Sequence, residues 1–457
     1  MPFTFRCFKC ELGLIKPEIR ILYLFVLLMR IMLPCSLFFI CSYAIAQAKV
    51  NTLQDIIAQN NDSLYQQIIT HPNQYRLQII YTQINRDKHN KPSFTNYYFG
   101  VDPSTYYYPA SVVKLPLAAL SLEKLNEINK NGINKYTSIQ FDSAYPRQVK
   151  EWSDSTAENY LPSIAQFIRK AFLISDNDAY NRMYQFVGQQ KINEELHRKG
   201  YANTRIVRQF MGFTEDENRN TNPIRFIDSN SRTIYQQPMA YNTDSFSYPL
   251  HAYVGKAYYN RSDSLINEPM DFAKQNTIPL QDLQQILQSI LFPLSVPAKQ
   301  RFNLTSEDYQ FLKQYLSQYP SETSFPKYDT AQYYDSYVKF FFNDSLHHAM
   351  PPGVRVFNKV GWSYGFLTDV SYVVDFNHNI EYMLTATVYV NKDEVLSDDV
   401  YEYNSVGQPF LYQLGQTIYN YELQRKRKRK PDVKDFVVEY EHRDANDTRP
   451  VIKDADN

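Results

Sequence analysis

Two spacings of apolar residues alternate along the chain. Residues 75–86 alternate apolar and polar positions and are rich in Ile and Tyr, which predicts a strand, with residues 94–101 as its hairpin partner. Three more strand patterns follow one another near the other end, at 352–361, 366–376 and 380–391. Between these groups the spacing lengthens to that of helices, at about 111–125, 160–174, 177–187, 279–292 and 305–318. Leu53, Ile56, Ile57 and Leu64 place a further helix over 52–69, and Phe410, Leu414 and Ile418, stacked at i+4, place a last one over 409–423. Residues 220–275, rich in Asn, Tyr, Ser and Pro, lack either rhythm and read as long loops. Strands at both ends with helices between predict an α+β fold. Its antiparallel sheet is built from the two chain ends, and an all-helical subdomain is inserted between them.

Residues 21–46 are almost continuously apolar, preceded by Arg6, Lys9, Lys16 and Arg20 and ending in Ala44-Ile45-Ala46-Gln47-Ala48. This reads as a secretory signal peptide over 1–46, with export to the periplasm or medium and no other membrane association. Met29-Arg30 with residues 31–46 already makes a complete signal, so the true start is expected at Met29. An uncleaved anchor is the alternative, weakened by Arg30 and Pro34. The four cysteines, Cys7, Cys10, Cys35 and Cys41, all fall in this segment, so the mature chain offers no disulfide, thiol nucleophile or thiolate metal site. Ile40 stands where lipid attachment to Cys41 needs a small residue.

Charge narrows the function classes. The 457 residues carry 48 basic and 48 acidic side chains, which excludes a dedicated nucleic-acid binder. The run Arg425 to Lys430, closed by Pro431, reads as a solvated helix end with cations at the C-terminal dipole. Residues 423–457 are expected to form a flexible tail. Aromatic content is high, with 39 Tyr and 29 Phe, which serves core packing and ligand stacking equally well.

Three short motifs carry chemistry. Ser111-Val112-Val113-Lys114 opens a helix after Pro109-Ala110 and sets a hydroxyl and an amine nearly one turn apart. A serine hydroxyl is a weak nucleophile until a base takes its proton, and a lysine of depressed pKa can do so. A helix N-cap is the plain alternative for Ser111. The similar Ser121-Leu122-Glu123-Lys124 falls on a charged, surface-like turn and reads as a decoy. Ser175-Asp176-Asn177 offers a hydroxyl to relay a proton, a carboxylate to brace a loop and an amide to hold a substrate, or else another N-cap. Lys359-Val360-Gly361, followed by Trp362, places a cation and a residue without a side chain on a strand; alone it is a strand ending in a turn.

In this order and context the three motifs resemble the serine β-lactamase and penicillin-binding superfamily, class A β-lactamases above all. The resemblance spans roughly residues 50–422. It implies that Ser111 is acylated, that Lys114 accepts its proton, and that Ser175 passes a proton to the departing nitrogen. It further implies that Asn177 holds the substrate, that Lys359 attracts its carboxylate, and that the backbone N–H groups of Ser111 and Trp362 form the oxyanion hole beside Gly361. It implies no metal and no organic cofactor, and a monomer acting on a small β-lactam or a peptidoglycan-like substrate.

The chain departs from that pattern in three places. Class A enzymes have Glu-x-x-Leu-Asn after the second motif, whose glutamate directs water onto the acyl-enzyme. Here the matching region runs from Phe213 to Pro223, with Glu217, or failing it Glu215, as the candidate base. The third motif has Val360 where the family has Thr or Ser, with Ser363 as a possible substitute hydroxyl. The stretch between Asn177 and Lys359 is longer than usual, and its loops at 220–275 and 320–350 are expected to wall or cover the cleft. The readings left open are hydrolysis of β-lactams, a D-alanyl peptidase or envelope amidase or esterase with slow deacylation, and a non-catalytic binding module on the same scaffold.

Overall fold

The computed structural model describes residues 52–128, 132–210, 212–248, 251–343, 349–444 and 446–453. The expected signal segment, its cysteines and Met29 lie outside them. Contacts divide the chain into residues 1–55, of which only the opening turn of a short helix is described, and a compact unit from Ile56 onward.

In that unit the first helix is α1 (Ser63–Thr70), capped by Asp62, whose side chain accepts the Tyr65 N–H at 2.9 Å. The single helix expected over 52–69 is therefore two, broken by Asn60, Asn61 and Asp62, residues that favour caps over helix interiors. The hairpin β1 (Gln78–Arg86) and β2 (Pro92–Phe99) follows. The helical part comprises α2 (Lys114–Ile128), α3 (Ile164–Leu173), α4 (Asn177–Val187), α5 (Gln189–Arg198), α6 (Leu280–Leu291) and α7 (Ser306–Ser317). Interleaved with it are β3 (Ser138–Phe141), β4 (Ile224–Ile227) and β5 (Thr233–Gln237). Three long strands, β6 (Val354–Ser363), β7 (Phe366–Asp375) and β8 (Ile380–Tyr389), precede α8 (Gln408–Gln424).

The main sheet has the order β6-β7-β8-β1-β2 and is antiparallel throughout, so the two chain ends meet where β1 pairs with β8, Tyr81 opposite Leu384. Every residue of β7 and β8 is buried, because helices cover both faces of the sheet. The expected strands and most expected helices lie within a few residues of their predicted positions. α5 was not anticipated; its segment is charged, with only Ile192 and Leu196 apolar at i+4, and Gly188 at φ 89° separates it from α4.

Three expectations are corrected. The insertion is not all-helical, since β3, β4 and β5 form a small antiparallel sheet in it. Phe226 of β4 is fully buried, which holds that short strand where composition suggested loop. Ser121 is also fully buried, with its hydroxyl donating to the Leu117 carbonyl at 2.8 Å. Lys124 donates to Gln237 Oε1 at 2.7 Å, and burial pushes its pKa down to about 8, so this second Ser-x-x-Lys pair is an interior packing element rather than a surface turn. The C-terminal segment is not loose: Phe436 packs against Phe292, Phe357 and Tyr372 with ring centroids 5.0, 5.6 and 4.6 Å apart. Arg425 pairs at 2.8 Å with Glu422, whose side chain is buried, and Arg427 pairs with it too, whereas Lys426, Lys428, Arg429 and Lys430 face solvent.

Candidate active site

The nucleophile candidate sits on a tight turn. Ala110–Val113 form one turn of 3₁₀ helix that runs directly into α2 at Lys114. Residues i and i+3 eclipse one another in that geometry, so Ser111 and Lys114 stand in register, with Nζ 2.7 Å from Oγ. Ala110 enters the turn at φ 43°, a left-handed conformation that costs an alanine roughly 1–2 kcal/mol and is held by the surrounding packing.

The second motif connects α3 to α4. Asp176 is the N-cap of α4, its Oδ1 accepting the Ala179 N–H at 2.8 Å, so its carboxylate braces the loop as expected. Burial raises its pKa, against the pull of Lys170 and of that N–H. Ser175 lies at φ 68°, which turns both its carbonyl and its hydroxyl toward Lys114. Lys114 Nζ reaches the Ser175 carbonyl, Asn177 Oδ1 at 2.8 Å and Ser175 Oγ at 3.3 Å. A neutral amine has two N–H groups and one lone pair. Were Lys114 neutral, its donations to the Ser175 carbonyl and to Asn177 would direct that lone pair at the Ser111 hydroxyl, 2.7 Å away.

The third motif closes the site from β6. Lys359 Nζ donates to Ser175 Oγ at 2.8 Å and to the Val360 carbonyl at 2.9 Å. Burial pushes its pKa well down, and the like charges of Lys114 and Lys339 add to this against Asp369. Gly361 is required by proximity. A Cβ there would lie 2.4 Å from the Pro109 carbonyl oxygen and 2.8 Å from the Ser111 nitrogen, so only a bare backbone lets β6 approach the nucleophile turn. Val360 is fully buried, whereas Ser363 faces the cleft.

Ser111, Ser175, Asn177 and Trp362 line a cleft of about 420 Å³. Tyr108, Phe210, Tyr333, Tyr337 and Tyr364 complete an aromatic wall that motif reading missed; the only signal for it was the Tyr-rich composition of the loops. Of the two long loops, 320–350 supplies Tyr333 and Tyr337, and 220–275 supplies no lining residue among those described.

Glu217 is not brought to the cleft. It closes a capping box on the short helix Glu215–Arg219, accepting the Thr214 N–H at 2.7 Å, and pairs with Arg147 at 3.1 Å. The Thr214 N–H holds its carboxyl below the usual range. Glu215 pairs with Lys274 at 3.2 Å. Asp176, already engaged as a cap, is the only carboxylate among the described residues that line the cleft. Among the described residues no group of His, Cys, Asp and Glu side chains is placed to hold a metal.

Residues 65–233 match the model of the beta-lactamase enzyme family. The resemblance to the serine β-lactamase and penicillin-binding superfamily therefore holds, and the matched stretch contains Ser111, Lys114, Ser175 and Asn177, with Lys359 beyond it. Two solved structures are similar at low identity. A beta lactamase from Xanthomonas campestris pv. campestris str. ATCC 33913 aligns at 12% identity and TM-score 0.44, over 81% of this chain and 98% of that one. A beta-lactamase from Desulfarculus baarsii DSM 2075 aligns at 13% identity and TM-score 0.43, over 78% and 96%. No curated protein sequence matches the chain.

Proposed function

We propose that the chain is an exported serine hydrolase that opens β-lactam amides through an acyl-enzyme on Ser111 and releases the acyl group slowly. Ser111 Oγ attacks the carbonyl carbon while Lys114 takes its proton. As the C–N bond breaks, Ser175 gives its hydroxyl proton to the departing nitrogen and regains one from Lys114, so the proton lost by Ser111 ends on the leaving group. The observation that carries this reading is the chain of contacts from Ser111 through Lys114 to Ser175 and Lys359, with separations of 2.7, 3.3 and 2.8 Å. Slow release is supported by Asp176, the one carboxylate among the described residues that line the cleft, being engaged as a helix cap. The same feature favours a second reading with the same intermediate, a D-alanyl peptidase or envelope amidase or esterase.

Intact-mass spectrometry of the protein with a penicillin, followed from seconds to hours, tests this. The expected result is one adduct, on Ser111, that persists for minutes or longer. Rapid loss of the adduct with release of hydrolysed antibiotic would show that water is activated and make the chain a turnover β-lactamase. Absence of any adduct would overturn the proposal.

A further inference from the structure

The cleft wall is aromatic and almost uncharged. Six rings line it, those of Tyr108, Phe210, Tyr333, Tyr337, Trp362 and Tyr364. Other rings pack against them, Phe210 on Tyr180 at 4.4 Å among them. Tyr108 and Tyr364 meet edge to face at 5.1 Å, with Phe272 behind both at 5.6 and 5.2 Å. Tyr333 and Tyr337 meet at 5.2 Å, and Tyr337 meets Trp362 at 6.0 Å. Such clusters hold ring faces and edges ready for a planar group.

Cations are withheld from the same space. Lys114 and Lys359 are 0% and 1% exposed and neither lines the cleft; they stand behind Ser111, Ser175 and Asn177, with Lys114 Nζ also 5.0 Å from the Phe210 ring centre. No arginine is among the described residues that line it; Arg208, whose charge acts on Tyr108 and Tyr364, donates to the Phe213 carbonyl at 2.6 Å. Val360 removes the hydroxyl that the third motif would present, and the one acidic or basic side chain among the described residues of the wall is the carboxyl of Asp176. A substrate carboxylate entering here loses water and meets no cation among the described residues that line the cleft.

We propose that the cleft selects uncharged amides or esters carrying an aromatic ring, which it holds by ring packing and not by pairing with a substrate carboxylate. This rests on the acylation of Ser111 proposed above and names the substrate class of that site. Lys359, expected to attract an anionic group, lies behind Ser175 and donates to its hydroxyl at 2.8 Å.

Three penicillins give the test: benzylpenicillin, its methyl ester, and the methyl ester in which acetyl replaces phenylacetyl. Acylation rates are read by intact mass. The expected order has the benzylpenicillin ester at least as fast as the free acid, and the acetyl ester slower by roughly tenfold. In Tyr337→Leu and Trp362→Leu the two esters should acylate at similar rates. A free acid tenfold faster than its ester would overturn the inference in favour of anion recognition. Equal rates for the two esters in the unaltered protein, or a ring preference that survives in both variants, would overturn it as well. A fluorophosphonate that labels the unaltered protein but not Ser111→Ala keeps the two ideas apart. Labelling together with ring-blind acylation refutes only the present inference, whereas no labelling and no acylation refute the proposed function with it.

Discussion

Around Ser111, polar side chains from three separate elements turn toward one another: Ser111 and Lys114 from the start of α2, Ser175 and Asn177 from the α3–α4 connection, and Lys359 from β6. In the loop from Phe213 to Pro223, polar side chains turn to the loop itself and to its nearest neighbours. Glu217 closes the capping box, Asp216 accepts the Tyr145 and Tyr241 hydroxyls, and Glu215 pairs with Lys274. Both regions are well satisfied, but only the first directs its hydrogen-bonding capacity at a shared point beside open space. A charge that its immediate surroundings already satisfy stabilises its loop and is not free for catalysis.

That contrast breaks if Ser111 is dispensable. Ser111→Ala should reduce covalent labelling by a penicillin by about a thousandfold or more with the melting temperature little changed. Labelling of the variant at the original rate would remove the convergent region from the mechanism. Lys114→Met should slow acylation roughly a hundredfold to ten-thousandfold, the span of a lost proton acceptor; an unchanged rate would place the base elsewhere.

Gly361→Ala probes how closely the elements must approach. Its Cβ would sit 2.4 Å from the Pro109 carbonyl oxygen, and neither backbone can yield cheaply. Acylation should fall at least roughly tenfold and stability by about 1–3 kcal/mol. A variant that melts and acylates like the unaltered protein would mean that β6 does not press on the nucleophile turn.

Asp369→Asn asks how far inward-facing polarity extends behind Lys359. Lys339 donates to Asn358, and Asn358 donates to Asp369, all of them buried. Burial pushes the Asp369 carboxyl up to about 7. The folded protein therefore keeps a proton that the unfolded chain gives up above about pH 4, and stability falls as pH rises through that window. The Asn variant should gain on the unaltered protein in thermal melts from about pH 4 to about pH 7, and no further above that. A constant difference across the range would show that the carboxyl is ionised throughout.

The smallest effect is expected at Glu217. Glu217→Gln keeps the capping-box acceptor and should leave deacylation within about twofold, with stability lowered by less than about 1 kcal/mol through the Arg147 pair. A deacylation rate cut tenfold or more would make Glu217 the water-activating base and erase the contrast between the two regions.

The same contrast explains which features were legible in the sequence. Ser111 and Lys114 are adjacent in space because of local helix geometry, so their spacing announces them. The main strands carry alternation or long apolar runs, and α4 carries its own cap in Asp176, so both were readable. Glu217 has the right residue type in the right stretch, yet what decides its role is a hydrogen bond to Thr214 three positions away, and a capping box reads like any other acidic loop. The aromatic wall was illegible for the opposite reason. Tyr333, Tyr337 and Trp362 meet only after the chain has folded, and 39 tyrosines give no hint of which of them face a cleft. Phe436 was missed because the short apolar run Phe436-Val437-Val438 in a polar tail has no periodicity to reveal it.

The pairing of β1 with β8 also constrains the order in which the molecule can assemble. Gln78 lies opposite Thr387, roughly 300 residues further along, so the first hairpin has no partner on its inner edge until nearly the whole chain is present. Closing so long a loop costs only about 0.6 kcal/mol more than closing one half its length, but it delays the contacts that reward closure. A nascent chain ending before β8 thus carries an unpaired strand edge through most of its synthesis. The helical core can form early, while the groove between Gly361 and the nucleophile turn is among the last features to take shape.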